Sequence, residues 1–331
     1  MKRIIIIALV LLTILTAILI SGCTEENKTI SQEPIKIAIN VWPGYAHAFV
    51  AQEKGFFEKN GVEVELILKE EYSEAQELYT DGNTDGIFEV YVDTIFHNSE
   101  GISSKVVYVT DYSDTGDVII GKPEYNSLAD LKGKKIGIEG VNTFSHIFAL
   151  SAAEKEGLVE SEIQFESVFA GDVLTALEEG KIDAGHTWEP TTSEALEKGY
   201  KILGKAGDVP GIITDVLTFN SKIIKERPKE VEAIVKSLLE ARNFVYTDRE
   251  EALEIMSAAE NIPKGEMNEG IEGVVHPNLK ENMAAMKDTE ETTSLYSSGR
   301  IISNFYISRG QLSSIPDFDK IIESKFIENI E

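Results

Sequence analysis

Residues 35–40, Ile-Lys-Ile-Ala-Ile-Asn, are apolar at almost every position and predict a strand. Residues 46–54 carry a helix pattern, 62–68 alternate as a strand, 73–80 read as a helix and 86–90 as the next strand. Residues 105–110 and 118–121 predict two more strands, separated by a polar segment at 111–117. A second set follows. It has a strand at 135–139, a helix capped by Asn142 or Thr143 and running to 156, a strand at 163–169 and a helix at 172–179. A strand at 184–187 ends on Trp188-Glu189-Pro190, a helix covers 191–198, and 216–219 is a further strand. After Pro228 the pattern turns mostly helical, at 229–246, 250–260 and 317–330. Strands alternating with helices predict α/β architecture, with parallel sheets covered on both faces.

The two sets echo each other. Ala75-Gln76-Glu77-Leu78 precedes Gly82-Asn83-Thr84-Asp85, and Thr175-Ala176-Leu177-Glu178 precedes Gly180-Lys181-Ile182-Asp183. In each, a helix ends on a glycine suited to a left-handed turn, and an Asp three residues later opens a strand. The echo occurs twice, which implies two similar lobes.

The start of the chain changes the picture of where such a body would work. Lys2 and Arg3 are followed by residues 4–20, apolar apart from two Thr, and then by Ser21-Gly22-Cys23. This is the pattern of a secretory signal peptide. Ile20-Ser21-Gly22-Cys23 resembles the lipobox of prokaryotic lipoproteins, and the resemblance implies lipidation of Cys23. Cys23 is the only cysteine, so its modification leaves no disulfide, thiol chemistry or cysteine-based metal site. Residues 24–34 read as a polar tether. Loss of the signal moves the net charge from −26 to −28, because only Lys2 and Arg3 leave as charges. A body this acidic disfavours nucleic acid.

No catalytic constellation is present: there is no Gly-x-Ser-x-Gly, no His-Glu-x-x-His and no phosphate-binding glycine loop. The five His, at 47, 97, 146, 186 and 276, show no metal-ligand spacing. The chain therefore reads as a non-enzyme without cofactor or metal. Polar and aromatic residues gather instead at strand ends. Trp42 and Tyr45 flank a Pro-Gly turn after the first strand, at the carboxyl edge where open α/β sheets bind ligands. Glu89, Tyr91, Asp111, Ser113, Thr143, Ser145, Trp188, Glu189 and Asp215 hold comparable positions. Together these eleven predict a cleft for a small polar molecule. The helix start around 140–145 is suited to an anionic group, with His146 beside it. Glu89, Asp111, Asp117, Glu189 and Asp215 have no Arg near them in sequence and argue for an amine, a guanidinium or a donor-rich ring, with Trp42 or Trp188 adding cation–π contact.

Trp42-Pro43-Gly44-Tyr45, then Ala51-Gln52-Glu53-Lys54-Gly55-Phe56-Phe57 and Gly61-Val62-Glu63-Val64, resemble the start of ABC-importer substrate-binding proteins of the nitrate, sulfonate, taurine and thiamine-pyrimidine-precursor type. Asp111-Tyr112-Ser113, Trp188-Glu189-Pro190 and Asp215-Val216-Leu217 continue the resemblance, which covers residues 35–225. It implies a type II periplasmic-binding-protein-like fold, with two α/β lobes joined by crossover segments near 110–118 and 214–220. Lobe 1 would be 35–113 plus 220–331, and lobe 2 would be 114–219. It further implies an extracytoplasmic receptor, lipid-anchored to the cell membrane, that closes on its solute and docks on a permease. The solute would be of taurine, sulfonate or nitrate type, or a related nitrogenous compound. The sulfonate and nitrate binders hold a firm anion site, often with a basic residue, whereas the positions here offer none apart from His146. A zwitterion, a guanidine-like cation or an aminopyrimidine suits them better. The alternative is a pyrimidine-precursor binding or biosynthetic protein on the same fold. The enzymes of that group carry a cysteine-rich motif, which a chain with Cys23 alone lacks.

Overall fold

The computed structural model describes residues 33–330. The expected signal peptide, the lipidation site Cys23 and residues 24–32 of the tether lie outside the described residues.

Four strands come first: β1 (Ile35–Asn40), β2 (Val64–Lys69), β3 (Gly86–Val90) and β4 (Ser104–Ser113). Five follow: β5 (Val118–Gly121), β6 (Lys135–Ile138), β7 (Gln164–Ser167), β8 (Ala184–Thr187) and β9 (Lys201–Lys205). Then come β10 (Thr214–Asn220) and β11 (Val274–Val275). They form two sheets, ordered β11-β4-β10-β3-β1-β2 and β7-β6-β8-β5-β9. β1 lies inside its sheet with five of its six residues buried, which explains a nearly continuous apolar run in place of alternation.

The sheets are mixed rather than parallel throughout. β1, β2 and β3 run parallel, as do β6, β7 and β8. β10 is antiparallel to β3 and β4, and β5 is antiparallel to β8 and β9. Each reversed strand is the first one laid down after the chain crosses between sheets, and each is flanked by two strands antiparallel to it. The crossings are residues 114–117 and 206–213. The strand expected at 216–219 is β10, but it belongs wholly to the first sheet, bonded to β3 and β4 on either side, so the crossing expected near 214–220 lies just before it. Asp111 and Ser113 likewise lie within β4, not in a separating segment. The first crossing is tied down: the amides of Asp114, Thr115 and Gly116 all donate to the Gly273 carbonyl, at 3.0, 2.9 and 2.9 Å.

The repeated Gly-to-Asp step has one structural use in both sheets. Gly82 and Gly180 sit at φ 73° and 70°, where a β-carbon is disfavoured. Three residues on, Asp85 Oδ2 accepts the Lys36 amide at 3.0 Å and its own amide donates to Lys36 O at 2.8 Å. Asp183 does the same with Lys135, at 3.1 and 2.8 Å. The pattern ties the start of β3 to the start of β1, and the start of β8 to the start of β6.

The expected helices at 229–246 and 250–260 are Pro228–Thr247, with Pro228 in the first turn, and Arg249–Glu260. Both pack on the helix His47–Glu53 beside the first sheet. The tail expected as one helix at 317–330 is broken into two short ones, Phe318–Ile321 and Lys325–Glu328, and is preceded by the helix Leu295–Ser308.

Candidate ligand-binding cleft

The loop after β1 is fixed from behind. His47 Nδ1 and His276 Nε2 both meet the Gly44 carbonyl, each at 3.0 Å. A carbonyl only accepts, so each of these ring nitrogens carries its proton. Burial, chiefly, lowers His47 to about 3 and His276 to about 4, so both imidazoles are neutral. Gly44 admits no side chain, since a β-carbon there would collide with the Asp111 carboxyl and the Trp42 indole nitrogen. The Trp42 amide meets Glu260 Oε1 at 3.5 Å, and burial pushes that carboxyl up to about 8.

From this loop Trp42 and Tyr45 reach toward the second sheet. Trp42 meets Trp188, at the end of β8, edge to face, with ring centroids 6.2 Å apart at 89°. A second bridge joins Tyr72 to Phe144, with centroids 5.1 Å apart at 66°. Between these rings lies a cavity of about 20 Å³, enough for one water-sized group. Asn40, Asp117 and Asp215 supply its polar wall, and no Lys, Arg or His lines it.

The carboxyls are bound in a chain. Asp111 and Asp215 are cross-strand partners on β4 and β10. Trp42 Nε1 donates to Asp111 Oδ2 at 3.3 Å, and the Tyr45 hydroxyl donates to Asp215 Oδ1. Burial holds both carboxyls well above the usual carboxylate range, and neighbouring Asp charges add to it. Asp117 is held by a second row. Its Oδ1 meets His186 Nε2 at 2.8 Å, and His186 Nδ1 meets Ser145 Oγ at 2.7 Å. Ser145 Oγ in turn accepts the Glu139 amide at 3.1 Å. The Asp117 amide donates to Ser113 Oγ at 2.9 Å.

Of the residues expected from sequence, Trp42, Tyr45, Trp188 and Asp215 line the cavity. Asp111 stands directly behind Asp215. Ser113 and Ser145 act on Asp117, one directly and one through His186. Thr143 lies on an adjoining groove with Tyr72 and Asp93, and its hydroxyl is turned to the Gly140 carbonyl at 2.8 Å.

Glu89, Tyr91 and Glu189 are placed elsewhere. Val90 lines the cavity, so strand alternation turns Glu89 away from it. Glu89 accepts from Thr94 at 2.7 Å and Gln76 at 3.2 Å and pairs with His97 at 3.3 Å. Tyr91 opens the next helix, fully buried. Glu189 accepts the Ser193 amide at 3.1 Å and lies near Gly270, and burial pushes it up to about 6. His146, expected beside the anion-ready helix start, takes the Asn142 amide and faces Glu160.

Asn40, Tyr72 and Phe144 were not anticipated. Asn40 ends β1 and Phe144 stands between Thr143 and Ser145, so strand-end position was their signal. Tyr72 opens the helix after β2 and gave none. Asp117 and His186 were visible only as an unpaired acid and one of five scattered histidines. Among the described residues, no group of three or more His, Cys, Asp or Glu is placed to hold a metal ion.

A family model described as NMT1/THI5 like matches residues 42–252. The 4-amino-5-hydroxymethyl-2-methylpyrimidine phosphate synthase of Uromyces fabae is 27% identical over 238 residues, 66% of this chain and 68% of the relative. The ligand-binding component of an ABC-type import system from Staphylococcus aureus, solved with zinc bound, superposes with a TM-score of 0.74 at 16% identity, covering 90% of this chain and 99% of that one. The periplasmic aliphatic sulphonate binding protein SsuA of Escherichia coli gives 0.71 at 17% identity, covering 90% and 100%. The two-sheet architecture is thus the bilobal α/β fold of periplasmic binding proteins.

Proposed function

The chain belongs to the NMT1/THI5-like family, and from that premise we propose that it is the solute receptor of an ABC importer. It captures a small nitrogen-bearing compound between two lobes and hands it to a membrane permease. The lobes follow the sheets: one holds β1 to β4, β10, β11 and the helical tail, the other β5 to β9. The observation that carries the reading is the cavity wall. Trp42, Tyr45, Tyr72, Phe144 and Trp188 supply its aromatic lining, Asn40, Asp117 and Asp215 its polar lining, and no basic side chain joins them.

That wall selects by charge. A sulfonate or nitrate would meet carboxyl oxygens and ring faces, both of negative potential. A guanidine-type cation gains cation–π contact and charge-assisted bonds from the same groups. With the lobes parted beyond the present water-sized cavity, an aminopyrimidine stacks on the rings and donates its amino hydrogens to Asp215 and to Asn40 Oδ1, which is buried without a donor. The pyrimidine in the name of the Uromyces relative supports this second class, in unphosphorylated form, because nothing in the wall neutralises a phosphate.

We place the receptor outside the cytoplasm, anchored by lipid on Cys23. A Cys23→Ser variant then leaves the membrane fraction.

Thermal-shift screening of guanidines, aminopyrimidines, taurine, alkyl sulfonates and nitrate tests the ligand class. Binding at a hundredfold over Kd adds about 2.7 kcal/mol of stability, a clear rise in Tm. A rise with sulfonate or nitrate alone would refute the charge argument. The synthase alternative predicts a new pyrimidine after incubation, whereas a receptor returns its ligand unchanged.

A further inference from the structure

Asp111 and Asp215 are buried together, at 0% and 2% exposure, on facing positions of β4 and β10. Each has one oxygen served by a neutral donor, the Trp42 indole for Asp111 Oδ2 and the Tyr45 hydroxyl for Asp215 Oδ1. Asp111 Oδ1 and Asp215 Oδ2 have no such donor. Both free oxygens are buried without a partner, on side chains at facing positions of adjacent strands. Two ionised carboxylates can only accept, so a single proton held between them is what would give each free oxygen its partner.

The surroundings agree. The titratable groups facing the pair are Asp117 from the first crossing, Tyr45 from the first loop, and Tyr108 and Tyr112 from β4 itself. None carries positive charge. Both ring nitrogens of His186 are taken up elsewhere, by Asp117 and Ser145. Two adjacent charges with no counter-ion are costly in a site sealed from water, which is the reason paired carboxyls share a proton.

Asp215 also faces the cavity, where Asn40 offers a second acceptor without a donor. We propose that the Asp111–Asp215 pair is a proton-exchange site, holding one proton between its carboxyls and releasing it when a positively charged nitrogen of the ligand settles against Asp215. This rests on the cationic reading of the ligand given above. In the step, the carboxylic O–H bond breaks and the proton passes to solvent. The ligand N–H then donates to the freed carboxylate oxygen. The pair goes from one negative charge to two while the ligand brings one positive charge, so the net charge inside the cleft is unchanged. Anions are refused by the same arrangement, since nothing they bring can replace the proton.

The first test needs no ligand. Infrared difference spectra of the wild type against Asp215→Asn and against Asp111→Asn, at neutral pH, are expected to show a protonated-carboxyl C=O band lost in both variants. If neither difference shows it, the inference falls, whatever the receptor binds. The second test is calorimetry of butylguanidinium in two buffers of different ionisation enthalpy. The wild type is expected to release about one proton per ligand bound and Asp111→Asn about none, because its amide replaces the exchangeable proton. Binding to the wild type with no proton release overturns the exchange. A band that is present with no binding of butylguanidinium overturns the cationic reading and the exchange that rests on it, and leaves the shared proton standing. If one variant fails to fold, the other carries both measurements.

Discussion

The two sheets share one plan. In each, three parallel strands lie side by side, β2-β1-β3 and β7-β6-β8, followed by a reversed strand, β10 or β5, and one more, β4 or β9. In each, an Asp ties the third strand of the trio's order to its middle strand, β3 to β1 and β8 to β6. What they bring to the cleft is different. The first sheet brings a loop locked by two histidines and a carboxyl pair, with Trp42 sunk to 5% exposure. The second brings an aromatic wall, with Trp188 only half-buried, and an Asp117 held by the His186–Ser145 row. The frame is duplicated while the chemistry is not. A binding face of one lobe cannot therefore be inferred from the other, even where their strands superimpose in order.

The sharpest way to break that contrast is to truncate the two indoles. Trp42→Ala is expected to cost about 4 kcal/mol, as for a large core aromatic. Trp188→Ala is expected to cost about half of that, since part of its surface already meets water. Both variants should lose ligand binding. Urea denaturation midpoints measure the costs, and equal costs would mean that the two walls are built alike.

Acidification probes the histidine lock, a device of the first lobe alone. His276 falls to about 4 in the folded protein, against an ordinary value near 6.5 when unfolded. The unfolded chain therefore takes up protons first as pH falls. The stability from this neutral histidine is complete above about pH 6.5 and drains away down to about pH 4, on the order of 3 kcal/mol for the residue. Glu139, directly after β6 in the second lobe, has the opposite sign. Burial pushes it up to about 7, so its contribution is complete in acid and is lost as pH rises through that value. His276→Gln should flatten the acid limb of a stability–pH profile, and Glu139→Gln the limb approaching neutrality. A profile unchanged by His276→Gln would remove the lock.

The shared frame makes a finer comparison. Asp183 carries, beyond its counterpart's bond to the first strand, a bond to Lys122 Nζ at 2.9 Å and one to the Tyr125 hydroxyl at 3.3 Å. Asp183→Asn is expected to cost about 2 kcal/mol and Asp85→Asn about 1 kcal/mol, by thermal or urea melts. The smallest expected effect is that of Ser145→Ala. It removes one buried partner of His186 and the acceptor of the part-buried Glu139 amide, about 1 kcal/mol of stability. Its informative readout is a severalfold weaker ligand affinity, measured by calorimetry, through a less firmly held Asp117.

Much of the frame was legible in the sequence because it rests on local rules. Strand periodicity, glycine at left-handed turns and the repeated Asp step depend on neighbours within a few residues. The strand at 216–219 was legible but its sheet was not, because a strand's sheet is decided by partners more than a hundred residues away, here Val90 and Asp111 opposite Asp215. In the cleft, residues next to turn signals were visible: Trp42, Tyr45, Trp188 and Asp215. Glu89 misled because the residue before a strand's last position faces away from the residue at its end. Glu189 misled because a carboxylate beside an aromatic looks like a ligand contact when it is satisfied by its own helix start. Tyr72 was hidden because its role depends on Phe144, across the cleft and seventy positions along the chain.

The histidines behind Gly44 have a use of another kind. Two imidazole protons aimed at a single oxygen, sealed from solvent, exchange slowly and give magnetic resonance signals well separated from the amides. Their positions report the electron density on that one carbonyl, at the centre of the Trp42–Tyr45 loop. The protein thus carries its own label for the state of its first loop, readable without a dye or an added tag.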